Sequence, residues 1–323
     1  MTVLDELKGL AIVLIVLYHA GGVLVWNNYL HGDIGVDIFV ILSGLGLALS
    51  PNYRGARAFL ARRVLRVMPT YWITLTLYAV GGALVLQQPD STFDLVLHYL
   101  GIHAWCGDAH IFRINDSFWF ITLILTLYVL FCVTRPLLER PAHLLLAGAG
   151  VSTAAAFGAF FWNQPALFGQ LTLRIPGFFV GMLLGLALRT GRLVVPAGAA
   201  LATAGFVLIY VPYTRGIVFH PPAAGLAVMG VYALAVRPRL PVRIGPPLGR
   251  GLKFLGDHSL EIFLIHQPLL REYNRYALNR WFHLADPGPG ALILGMAAGL
   301  VVTLAASVML RRWLQKVPFL AKG

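Results

Sequence analysis

Charge is what this sequence has least of. Only 12% of its 323 residues are Asp, Glu, Lys or Arg, and 13 are acidic. A soluble domain of ordinary composition carries about 25% charged residues, so a water-facing surface around the whole chain is excluded. Cysteine is scarce as well: Cys106 and Cys132 are the two present, and they give no disulfide framework or zinc spacing. No phosphate-cradling glycine loop and no nucleophile elbow occur. His98, His103 and His110 fit no zinc pattern, and no metal site is expected.

Apolar residues supply what charge does not. They make up 58% of the chain, the mean hydropathy is +0.76, and they fall in runs near the ~20 residues that cross a bilayer as helix. Lipid cannot satisfy a bare backbone, so these runs must be helices or closed barrels. Their continuous Leu/Val/Ala character argues against the alternation of a barrel strand. The chain is therefore expected to be all-α and polytopic, with about ten spans in one domain covering 1–323. The expected spans are 7–26, 34–50, 69–87, 117–135, 143–162, 174–188, 196–212, 217–236, 254–270 and 290–310. A long connector, 88–116, separates the third from the fourth, and Phe93–Trp105 within it suits an interfacial helix. Leu10–Leu17 resembles a signal-peptide core, but Asp5 and Glu6 precede it and no small-residue cleavage site follows, so it reads as a span.

The net charge of +12 is not a nucleic-acid footprint here, because the basic residues flank apolar runs. With both termini cytoplasmic, 19 of the 25 Lys and Arg fall inside, leaving Arg113, Arg174, Arg215, Arg271, Arg275 and Arg280 outside. That asymmetry is what orientation by basic loops requires.

Ionisable groups within spans are costly and mark candidate sites. Lys8 and His19 lie eleven residues apart, on one helix face and roughly 16 Å apart along the axis. A long thioester donor suits that spacing, with its phosphates at the cation and its reactive end at an imidazole able to act as general base. The structural alternative is a snorkelling Lys8 and a His19 that bridges helices. Asp37 lies a turn deeper than Asp33, which reads as a cap; Asp37 would orient His19 or bind the acceptor. Ser43 lies on the same span. Arg62, Arg63 and Arg66 form a basic stripe fit for nucleotide phosphates or for anionic lipid. Arg174 opens the sixth span from the outer side, where it would hold an anionic acceptor or a lipid phosphate. Ser259 and His266 share a face two turns apart, too far for a Ser–His nucleophile, so they read as polar cavity wall or inter-helix contacts.

The segment from Leu4 to His19 resembles the opening of the acyltransferase 3 family of membrane acyltransferases. There an arginine precedes the essential histidine by ten intervening residues; Lys8 stands at the arginine position here. Gly35-Val36-Asp37-Ile38-Phe39 with Ser43-Gly44, then Arg62-Arg63 with Arg66 and Pro69, then Arg174 to Gly181, then Gly256 to Pro268 resemble later signatures, in order. Trp119 to Tyr128 resembles a further segment in which Ile124 replaces an acidic residue. The resemblance implies ten core helices, a cytoplasmic acyl-CoA donor (acetyl-CoA above all) and a carbohydrate or glycolipid acceptor. It implies His19 and Asp37 as catalytic, Lys8, Arg62, Arg63 and Arg66 on the donor, and Ser43, Arg174, Ser259 and His266 on the substrate. A bacterial inner-membrane enzyme performing O-acetylation of the cell envelope is expected, as a homo-oligomer or with a separate extracytoplasmic partner. A glycolipid flippase and a non-catalytic scaffold of the same fold are the rival readings.

Overall fold

The computed structural model describes residues 2–24, 34–50, 53–190, 230, 246–284 and 287–317. Every regular element among the described residues is helical. The expected spans 196–212 and 217–236 lie outside the described residues, apart from Gly230.

Helix α1 (Thr2–Leu24) begins five residues before the expected span and carries Lys8 and His19 together. Helix α2 (Ile34–Leu49) matches the second span closely. Helix α3 (Ala56–Leu84) joins the basic stripe to the third span without a break, with Pro69 inside it. In the connector, α4 (Thr92–Leu100) is shorter than the expected Phe93–Trp105 helix. It stops at Gly101, whose φ of 71° is a left-handed cap that suits glycine. The short α5 (Asp108–Ile111) follows. Next come α6 (Trp119–Thr134), α7 (Pro141–Phe161), α8 (Pro165–Gln170) and α9 (Ile175–Arg189). The expected ninth span is two helices, α10 (Pro246–Asp257) and α11 (Ser259–Leu270), divided at His258. There the His258 ring bonds back to the Phe254 carbonyl at 2.9 Å. Helix α12 (Glu272–Arg280) leads to α13 (Pro289–Gln315).

Four described helical stretches are long and apolar enough to cross a membrane: Ala56–Leu84, Trp119–Glu139, Thr172–Arg189 and Pro289–Gln315. The shorter α2 is apolar too. Lipid tails do not drive apolar helices together, so close packing needs small residues at the contact. Two seams are built this way. A Cβ at Gly44 would collide with the Phe178 carbonyl, and one at Gly181 with the Ile41 carbonyl, so α2 and α9 meet backbone to backbone. Gly9 and Gly256 do the same for α1 and α10, against Leu252 and Asp5. These seams fix the depth of α1 and α2 relative to α9 and α10, and so the levels of Lys8, Asp37 and Ser43.

Candidate active site

One cavity of about 830 Å³ opens among α1, α2, α3, α6, α10, α11 and α13. That volume lies within the ~300–1,000 Å³ range of small-molecule and cofactor sites. Lys8, Ser43, Arg63, Arg66 and Ser259, all expected from sequence, line it. Arg62 is not among its lining residues; the helical step turns it away while Arg63 and Arg66 face inward.

The polar lining gathers at one end. Lys8 Nζ bonds Asp5 Oδ1 at 3.0 Å. The Arg63 guanidinium lies over Phe59 and Tyr128, 5.3 and 5.6 Å from the ring centroids. Cation–π contact holds the planar group in place. Arg66 is exposed. Sequence reasoning assigned Arg311 only to topology, yet it too lines the cavity, with Nη1 3.9 Å from buried Glu261 Oε2. It ends a helix that looks like a plain span, and only the fold shows what it faces.

Beyond the cavity lies a second polar layer. The rings of His19 and His266 are 5.0 Å apart, although 247 positions separate them in sequence. His266 is fully buried. Its Nδ1 faces the Ile262 and Phe263 carbonyls at 3.0 and 2.9 Å. Carbonyls only accept, so Nδ1 carries the proton and Nε2 is left with a lone pair. That Nε2 has no hydrogen-bond partner among the described residues. Near this level Ser117 donates to Gln267, and Arg271 pairs with Asp116 at 2.7 Å.

Asp37 and Arg174 form a buried ion pair at 2.6 Å, each side chain 3% exposed or less. The Arg174 guanidinium also lies 5.2 Å from the Trp119 ring centroid. Arg174 was expected to face an outer-side anion; in the fold it is buried and its charge is matched by Asp37. Neither residue lines the cavity. Two charges removed from water need each other, and deleting one strands the other.

The connector closes over itself. Ser91 caps α4 by accepting from Asp94 N and donating to Asp94 Oδ2. Asp94 Oδ1 meets His110 Nδ1 at 2.7 Å. Burial alone would raise the Asp94 carboxyl, but Ser91, His110 and Arg113 hold it below the usual value. His98 and His103 stack face to face, centroids 3.8 Å apart and planes 8° from parallel. Burial lowers the His98 imidazole to about 4, and lowers His103 further. Both rings are therefore neutral at pH 7. Asp108 accepts from Ala166 N and Leu167 N, tying the connector to the first turn of α8.

Comparison with known proteins places these features in a family context. The Acyl_transf_3 model, an acyltransferase domain, matches residues 2–312. BcsY of Komagataeibacter xylinus, described as a membrane-bound transacylase, is 27% identical over 331 residues, covering 96% of this chain and 81% of that protein. The exopolysaccharide production protein ExoZ of Rhizobium meliloti (strain 1021) is 24% identical over 312 residues, 92% of each chain. No solved structure matches.

Proposed function

Because the chain belongs to the acyltransferase 3 family, we propose that this membrane acyltransferase moves an acyl group from acyl-CoA to a hydroxyl of a carbohydrate acceptor. The observation that carries this reading is the order of groups along α1. Lys8 lines a cavity with Arg63, Arg66 and Arg311, and His19 lies roughly 16 Å further along the same helix. Cations at one end suit the phosphates of a nucleotide-bearing donor. The apolar stretch between suits its long thioester arm.

In the proposed reaction, His19 takes the proton of an acceptor hydroxyl as that oxygen attacks the thioester carbonyl. The C–S bond breaks, the ester C–O bond forms, and the imidazolium returns its proton to the departing CoA sulfur. His266 Nε2, without a hydrogen-bond partner among the described residues, is suited to accept from the His19 ring and fix its orientation. The Asp37–Arg174 pair is assigned to holding α2 against α9, rather than to binding acceptor. In this reading the cationic end of the cavity is cytoplasmic, both termini are cytoplasmic, and the ten-span count holds in a bacterial inner membrane. Acetyl is the favoured group and an extracellular polysaccharide the favoured acceptor; the names of BcsY and ExoZ support the class.

The donor assignment is tested by titrating purified protein in lipid with CoA and, separately, with dephospho-CoA and pantetheine. Affinity that falls stepwise as phosphates are removed is the expected result. Equal binding of all three would remove the phosphate role of Lys8, Arg63 and Arg66.

A further inference from the structure

The cavity and the histidine layer do not meet. Each of three helices presents one stripe to the cavity. On α6 the stripe is Phe120, Ile124 and Tyr128; on α2 it runs from Phe39 through Ser43 and Leu47 to Ser50; on α11 it runs from Ser259 to Phe263. At the cationic end these stripes begin with Tyr128, Ser50 and Ser259. At the other end all three finish on phenylalanine. The Phe39 and Phe120 rings are 6.2 Å apart, and the Phe120 and Phe263 rings 4.8 Å. Phe263 in turn lies 6.0 Å from the His266 ring. Neither His19 nor His266 lines the cavity.

We propose that Phe39, Phe120 and Phe263 form an aromatic septum that separates the donor cavity from the His19 layer and sets the size of acyl group that can pass. The inference rests on the acyl-CoA reading above and adds a selectivity device to it. Phe120 and Phe263 are 8% and 3% exposed and Phe39 is half-buried, so two of the three rings are packed and the third borders the cavity. Tyr128 to Phe120 is about 12 Å along the helix, which gives the thioester arm a defined depth before it meets the rings. An acetyl group asks for a small displacement of ring edges, whereas a longer chain must spread two helices. Packed interiors resist such volume changes steeply.

The test uses the full-length protein in lipid with acetyl-, butyryl- and hexanoyl-CoA, reading free CoA release with an acceptor polysaccharide present. Wild type should turn over acetyl-CoA fastest and hexanoyl-CoA slowest. Phe120→Ala and Phe263→Ala should raise the hexanoyl-to-acetyl rate ratio at least about tenfold, the scale on which a hydrophobic site discriminates methylene groups. Phe120→Leu and Phe263→Leu should shift it the same way by less, and they keep the test usable if the alanine variants do not fold. CoA binding should stay within about threefold, because the cationic end is untouched. An unchanged ratio in variants that bind CoA overturns the septum, as does a wild type indifferent to chain length. A wild type that binds CoA but turns over no thioester overturns the catalytic reading itself, and the septum with it.

Discussion

The two sides of the Phe39–Phe120–Phe263 layer are built differently. On the cavity side the cations are more loosely held: Arg66 is exposed, Arg311 stands 3.9 Å from Glu261 Oε2, and Lys8 meets Asp5 at 3.0 Å in a part-exposed pair. On the histidine side, Arg174 is matched by Asp37 and Arg271 by Asp116, at 2.6 and 2.7 Å. Exposed or loosely paired charge beside a cavity can receive an anion. The buried Asp37–Arg174 pair holds its helices in place, whereas the Arg271–Asp116 pair is exposed. In the proposed reading, binding falls to one side and chemistry to the other.

The contrast can be broken most severely at His19. His19→Ala should lower acyl transfer by about 10²–10⁴-fold, the usual contribution of a general base, while donor binding persists. Transfer at more than a tenth of the wild-type rate would remove His19 from the chemistry. The next largest effect is expected at the buried pair. Asp37→Leu alone should cost about 3–5 kcal/mol by stranding the Arg174 charge, and Asp37→Leu with Arg174→Leu should recover much of it. Thermal unfolding in detergent gives the readout; a double variant no more stable than the single one would contradict the structural role.

On the cavity side the changes should be smaller and should act on binding. Arg311→Ala should raise the donor KM about 10–100-fold, the worth of one charge-assisted hydrogen bond, and leave kcat nearly unchanged. A fall in kcat at constant KM would instead place Arg311 beyond the septum. The smallest effect concerns the connector. His98, lowered to about 4, and the still lower His103 stay neutral in the fold but gain protons near 6.5 when exposed. Their contribution is complete above about 6.5 and lost progressively as pH falls toward 4. Asp94, held below 3.8, loses its contribution only at lower pH still. Hydrogen exchange of α4 should therefore speed up between pH 6.5 and 4.5 relative to α6. Equal change in both helices would contradict the burial of the two rings.

Much of this was readable in the residues. Helices followed from apolar runs because lipid leaves the backbone few alternatives, and α2, α6, α7 and α9 begin and end within two residues of expectation. Of these, α6 and α9 belong to stretches long and apolar enough to cross a membrane. Lys8 and His19 sharing a face, and Arg63 and Arg66 on one stripe that lines the cavity, needed only helical geometry. Contacts far apart in sequence were not readable. Nothing local pairs Asp37 with Arg174, 137 positions away, or His19 with His266. Arg311 looked like any charge at the end of a span. The three phenylalanines were hidden for a related reason: in a chain this rich in apolar residues, one more aromatic carries no signal until the fold brings three to one level. The division at His258 does carry a local signal, the polar run Gly256-Asp257-His258-Ser259, which the single expected span 254–270 passed over.

The most direct test of the central claim is the ester content of envelope polysaccharide from cells expressing wild type, His19→Ala or Lys8→Arg, measured as alkali-labile acetyl. The account predicts acetylation with wild type, acetylation at least as strong with Lys8→Arg, and none above background with His19→Ala expressed at equal level. Equal acetyl content with wild type and His19→Ala would contradict it.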